Sequence, residues 1–282
     1  MKKIFILLVL VVASNFGINA ANDNIKVNVI GKGKDIIFLP GFACPGSVWF
    51  QVVDSLKQNY KCHVVSYPQY GKRIPGEDNW FEDLCEYVKL YVEENNLSNF
   101  TIVGHSMGGN IAMRLNLEDS ERFKNLIIVE SLPCTGALMN PNYKSEDIDI
   151  TKPANIGVLE SDDKTYHAIA NQMANFMVKS PEYKEKIASY IIDTDRKTYV
   201  YGYTELLKGD LREDIKDIKG DILVLGAGFP SVDQIKWVYE SQYQAMPEKT
   251  IEYAEGSMHF IMFDKPLWLI DKINQYLSKK TN

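Results

Sequence analysis

The sequence predicts an α/β fold: a mostly parallel central sheet with helices on both faces and a helical cap inserted into it. Three observations lead there. Short strand-like runs, several of them apolar throughout, are spaced along the chain, stretches of helical period lie between them, and the pattern breaks at about residues 132–210, where no strand-like run occurs. Strands covered on both faces read as continuous apolar runs, not as alternating ones, because neither side meets water.

The elements follow in order. Lys26 to Ile30 alternates polar and apolar residues and is followed by the turn signal Gly31-Lys32-Gly33-Lys34. Ile36-Ile37-Phe38-Leu39 then reads as a buried strand. Val48 to Tyr60 has helical spacing, with Val48, Val52, Val53 and Leu56 on one face, and Cys62 to Ser66 is the next strand. Trp80 to Asn95 is a predicted helix, since Phe81, Leu84, Tyr87, Val88 and Tyr91 recur at intervals of three and four. A strand at Phe100 to Val103 runs into Gly104, a helix continues over Ile111 to Leu117, and Leu126 to Val129 is another apolar strand. Beyond the cap come a strand at Ile222 to Leu225, a helix around Gln234 to Tyr243, a strand at Thr250 to Tyr253 and a helix from Pro266 to Leu277. Residues 21–131 and 211–282 are thus expected to form the core, and residues 132–210 the cap.

Composition narrows the partners. The 282 residues are 45% hydrophobic and 24% charged with a net charge of −6, and no block of like charge marks a nucleic-acid surface. The four cysteines form no CxxC pair, so neither a disulfide scaffold nor a zinc module is indicated, and no metal or cofactor is expected. Lys2-Lys3 precede an apolar run from Ile4 to Ala13 and a polar stretch, with Ala20 offering a small residue for cleavage. That order predicts a signal peptide over residues 1–20 and a secreted or periplasmic protein; the run is about half of a bilayer span, so no stable membrane anchor is expected.

The chemistry-bearing motif is Gly104-His105-Ser106-Met107-Gly108, a G-x-S-x-G element between a predicted strand and a predicted helix. A sharp strand-to-helix turn exposes a serine hydroxyl, small neighbours relieve the crowding, and the helix N-terminus offers an N–H to a developing oxyanion. Here the chain resembles the α/β-hydrolase superfamily over nearly all of the sequence after the signal peptide. Leu39-Pro40-Gly41-Phe42 is similar to that family's oxyanion loop, with Pro40 in place of the common histidine. The resemblance implies Ser106 as nucleophile and the backbone N–H groups of Phe42 and Met107 as oxyanion donors. It also implies a base late in the chain, where Met258-His259-Phe260 follows the last strand.

The remaining histidines are assigned differently. His105 is the variable elbow residue, expected to pack beneath the site, while His63 lies in a strand and His167 in the cap. The third member of the triad is a choice. Relatives commonly carry the acid at the position that is Phe229 here, whereas other branches, such as the haloalkane dehalogenases, place a carboxylate after the strand that follows the nucleophile helix. Glu130 occupies that second position and is preferred, with Asp233 as the alternative. Cys44 and Cys134 both follow strands that feed the site, and a disulfide between them is compatible with export.

These readings describe a serine hydrolase of small-molecule esters, with Met173, Phe176 and Met177 of the cap binding a small or medium apolar acyl group, or else docking the cap onto the core. The resemblance leaves open a non-catalytic ligand-binding member of the fold, and a cofactor-free haloperoxidase or carbon–carbon bond hydrolase.

Overall fold

The computed structural model describes residues 25–67, 80–138, 140, 142–149 and 151–280. The expected signal peptide lies outside the described residues. Among the described residues, seven strands form one sheet: β1 (Lys26–Gly31), β2 (Lys34–Leu39), β3 (Tyr60–Ser66), β4 (Thr101–His105), β5 (Asn125–Val129), β6 (Asp221–Gly228) and β7 (Thr250–Glu255). Their spatial order is β1-β3-β2-β4-β5-β6-β7. β1 runs antiparallel to β3 at the edge, and every other pairing is parallel. Each strand-like run read from the sequence therefore corresponds to a strand, and the α/β architecture expected of them is present.

Two-residue periodicity divides the strand side chains between two cores. On one face Phe38, Val103, Ile127, Val129, Leu223 and Leu225 pack with α1 (Phe50–Leu56) and α10 (Pro266–Lys279). On the other, Leu39, Ile102, Ile128, Ile222 and Val224 pack with α2 (Trp80–Glu94), α3 (Met107–Glu118) and α8 (Val232–Gln242). Burying each such side chain contributes roughly 1.5–3 kcal/mol.

The first helix is shorter than its periodicity suggests. Residues Gly46–Trp49 form a 3-10 turn, α1 ends at Leu56, and Tyr60 already pairs with Lys34 in β3. Sheet pairing there prevails over the helical pattern.

Among the described residues, three 3-10 turns (Thr135–Leu138, Ser145–Asp147 and Asp214–Asp217) and four helices lie between β5 and β6: α4 (Pro153–Glu160), α5 (Asp163–Met177), α6 (Pro181–Ile192) and α7 (Arg196–Lys208). Their starts are written in the sequence. The carboxylates of Asp162 and Asp195 accept from the N–H groups of Thr165 and Thr198, and Pro181 occupies the first turn of α6. The end of α5 is tied to the core, because Phe260 N–H donates to Met177 O at 3.0 Å and Lys179 N–H to Asp264 Oδ1 at 3.0 Å. Among the described residues no helix is long and apolar enough to cross a membrane.

Candidate active site

The carboxyl ends of β2, β4, β5 and β6 converge where α/β sheets hold their ligands. Ser106 stands between β4 and α3 with φ 52° and ψ −121°, a left-handed conformation that costs a non-glycine residue about 1–3 kcal/mol. Its N–H donates to Val129 O at 3.0 Å, so β5 holds the turn in place. The flanking glycines are needed for close approach: a Cβ on Gly104 would lie 2.3 Å from Gly108 O, and one on Gly108 would lie 2.5 Å from Leu39 O.

Glu130 follows β5 in a second left-handed conformation, φ 46°, with its N–H bonded to Leu225 O at 2.8 Å. Its Oε2 accepts two hydrogen bonds, from Ala227 N–H and from the Tyr239 hydroxyl, each 2.5 Å. The other oxygen, Oε1, stands 3.6 Å from His259 Nδ1, an ion-pair distance longer than a hydrogen bond. Catalytic hydrogen bonds are often long in unliganded sites and tighten in the substrate complex. Asp233 is elsewhere. It is exposed in the first turn of α8, where a carboxylate complements the helix dipole, and it does not line the site. Phe229, at the position where relatives commonly carry the acid, lies on the cavity wall and is 44% exposed.

Phe42 follows Gly41 after β2 and lines the cavity, its ring 5.8 Å from Trp80 and 5.6 Å from Tyr199. Met107 is the first residue of α3, so its N–H belongs to the turn that has no intrahelical acceptor. The loop is anchored from below by Trp49, whose indole N–H donates to Leu39 O at 3.1 Å.

His105 is fully buried beneath the site. Its Nε2 stands 3.0 Å from His259 O, which can only accept, so this nitrogen carries the proton. The two imidazole rings are 4.7 Å apart. Burial first, and the neighbouring His259 second, hold the His105 imidazole well below its ordinary range, so it is neutral.

These groups open into a cavity of about 330 Å³ with a mainly aromatic and aliphatic wall, including Tyr199, Tyr203, Ile187, Ile191 and Phe260. Phe176 and Met177 are on that wall, and Phe176 is 71% exposed. Met173 is not, which corrects the reading that all three cap residues face a substrate. It is packed into the core, and its Sδ accepts from the Tyr199 hydroxyl at 2.8 Å. Its position one turn earlier on α5 puts it behind a residue of α7. The sequence left a Cys44–Cys134 disulfide open; Cys44, Cys62, Cys85 and Cys134 are all free thiols. Cys44 lines the cavity, but burial pushes its thiol up to about 12, which keeps it protonated and weakly nucleophilic. No cluster of metal-ligating side chains occurs among the described residues.

A family model described as "Alpha/beta hydrolase family" matches residues 36–272. The chain belongs to the alpha/beta hydrolase family. As a member it is a hydrolase. The pimeloyl-(acyl-carrier protein) methyl ester esterase of Nitrosomonas europaea is 24% identical over 209 residues, covering 72% of this chain and 79% of that protein. The enzyme of the same name from Aeromonas hydrophila is 33% identical over 113 residues, 39% of this chain and 43% of that protein. Among solved structures, an esterase from Exiguobacterium antarcticum superposes with a TM-score of 0.74 at 20% identity, covering 90% of this chain and 95% of that one. A bromoperoxidase from Bacillus anthracis gives 0.74 at 19% identity with the same coverages. These two structural likenesses show the shared fold.

Against the hydrolase fold, two residues that sequence reasoning left out of the site's chemistry stand out. Tyr239 bonds Glu130 from a position 109 residues away, and His105 bonds the His259 backbone across 154 residues. Tyr239 falls within an amphipathic helix, where a buried aromatic reads as core; only the tertiary contact identifies its hydroxyl. His105 was legible as a buried elbow residue, though not as a donor to the base's own backbone.

Proposed function

We propose that this hydrolase cleaves carboxylic esters of uncharged, apolar acyl groups through a Ser106, His259 and Glu130 triad. The observation that carries the reading is the convergence of a strained, half-buried serine and a carboxylate-facing imidazole in one apolar cavity. Ser106 Oγ attacks the ester carbonyl carbon as His259 takes its proton. The N–H groups of Phe42 and Met107 bind the oxyanion, and collapse of the tetrahedral intermediate expels the alcohol, which receives the proton back from His259. Water, activated by the same imidazole, then releases the acid. Glu130 keeps the imidazole in the tautomer whose other nitrogen faces Ser106.

The acyl preference rests on the wall. Among the described residues lining the cavity there is no Lys or Arg, and Glu130 is the one carboxylate there, so an anionic acyl end would be buried without a counter-charge. Lys179 lies over the Phe229 ring at 5.7 Å, on the exposed side of that wall. The methyl ester activity in the names of the relatives agrees with a carboxylic ester as substrate. The enzyme is further proposed to be exported, on the strength of Lys2-Lys3 and the apolar run from Ile4 to Ala13.

The test is hydrolysis of a p-nitrophenyl ester series by the purified protein and by Ser106→Ala. Turnover of neutral acyl esters, lost by roughly four to six orders of magnitude in Ser106→Ala, is the expected result. Turnover retained by the variant would place the chemistry elsewhere, and activity restricted to anionic acyl groups would overturn the acyl assignment.

A further inference from the structure

We infer that Tyr239 is a positioning residue for Glu130, with its hydroxyl and the Ala227 N–H together holding one carboxylate oxygen so that the other faces His259. This rests on the reading of Glu130 as the acid of the triad. Glu130 follows β5, away from the loop after β6 where relatives commonly carry that acid, so its carboxylate needs supports of its own.

Three observations converge on Tyr239. First, both short hydrogen bonds to the carboxylate end on Oε2, and the 3.6 Å approach to His259 is made by Oε1. A carboxylate with one oxygen pinned by two donors has lost its freedom to exchange oxygens by rotation. The two donors also come from different elements, the N–H from β6 and the hydroxyl from α8, so together they fix the carboxylate plane. Second, the phenol ring lies directly on bare backbone: a Cβ on Gly226 would stand 2.8 Å from the Tyr239 ring carbon that bears the hydroxyl. Third, the ring has a fixed setting. It packs parallel to Tyr243 at 6.2 Å and edge-on to Tyr253 at 5.6 Å, and Tyr239 is 1% exposed. Burial, and then the negative charge of Glu130, hold its hydroxyl well above the ordinary range, so it is a permanent donor across the working pH range. Tyr243 serves as a built-in comparison. It is equally buried and stacked, but its hydroxyl donates to Ser131 O at 2.8 Å and not to the carboxylate.

Tyr239→Phe removes one oxygen and keeps the ring. The measurement is kcat and KM for a fluorogenic ester in Tyr239→Phe, Glu130→Gln, the double variant and Tyr243→Phe, at a temperature well below every thermal midpoint. A hydrogen bond to a charged group sets the expected loss for Tyr239→Phe at about ten- to a hundredfold in kcat with KM nearly unchanged. In the Glu130→Gln background the same substitution is expected to cost no more than about threefold, because its effect passes through the carboxylate. Tyr243→Phe is expected to keep wild-type kcat. A Tyr239→Phe loss of equal size in both backgrounds, or one matched by Tyr243→Phe, would make the role one of general packing and overturn the proposal. Wild-type kcat in Tyr239→Phe beside a crippled Glu130→Gln would overturn it too, while leaving Glu130 as the acid. Full activity in Glu130→Gln would remove the reading on which it rests.

Discussion

Glu130→Gln replaces one carboxylate oxygen by an amide nitrogen, and the surrounding donors decide where that nitrogen goes. Ala227 N–H and the Tyr239 hydroxyl both donate to Oε2. The Ala227 N–H cannot reverse its role, so the amide oxygen must take that position and the NH2 group must face His259 Nδ1. Two donors then meet unless Nδ1 gives up its proton. The imidazole consequently switches tautomer, its Nε2 carries hydrogen, and it can no longer accept the proton of Ser106. Loss of the orienting acid in serine proteases, with geometry intact, lowers kcat by about 10⁴. The longer 3.6 Å separation here argues for a somewhat smaller effect, about three to four orders of magnitude, or roughly 4–5.5 kcal/mol of transition-state stabilisation. Pre-steady-state and steady-state hydrolysis of a p-nitrophenyl ester, with circular dichroism to verify folding, measures it. Asp233→Asn, altering an exposed carboxylate outside the cavity, is the paired control and is expected to stay within about twofold of wild type. A loss confined to Asp233→Asn would refute the tautomer argument.

Acyl preference divides the two methionines of α5. Met177→Ala, on the cavity wall, is expected to shift the optimum in an ester chain-length series, whereas Met173→Ala should leave the profile unchanged and cost about 1–2 kcal/mol of stability, less than a fully buried methionine. Stability should also fall with pH in a defined window. Burial lowers the His105 proton affinity in the fold relative to the ordinary value of 6.5, so the unfolded chain binds the extra proton. That contribution is complete above about pH 6.5 and is lost as pH falls below it; His63, also lowered chiefly by burial, acts with the same sign. Chemical denaturation from pH 8 to pH 5 is expected to show a shallower decline in His105→Gln than in wild type, and parallel slopes would contradict the assignment. The export proposal is checked by the intact mass of protein from its native source, which should begin at Ala21; a chain retaining Met1 to Ala20 would contradict it.

Much of the fold was legible because parallel strands covered on both faces leave an unbroken apolar signature, as in Ile36 to Leu39 and Leu126 to Val129. Boundaries were less so. The helical pattern continues to Tyr60, but pairing of that residue with Lys34 ends the helix four residues earlier, at Leu56. Ser106 was visible because an elbow is a local device, built from neighbours in sequence. Glu130 and Asp233 stood side by side as candidates since only the third dimension shows that one faces His259 while the other faces solvent. Met173 misled for a related reason: helical spacing places it on the face of Met177, but the covering Tyr199 belongs to another helix. Tyr239 was invisible in its role, because the partner of its hydroxyl lies on a distant strand end.

Covalent labelling decides whether Ser106 is a nucleophile activated by His259. Incubation with a fluorophosphonate, followed by intact mass and peptide mapping, is expected to add one label per chain, on Ser106. No label should appear in Ser106→Ala, and labelling of His259→Ala should be slower by several orders of magnitude. An unlabelled wild-type protein, or a label on any other residue, would contradict the account.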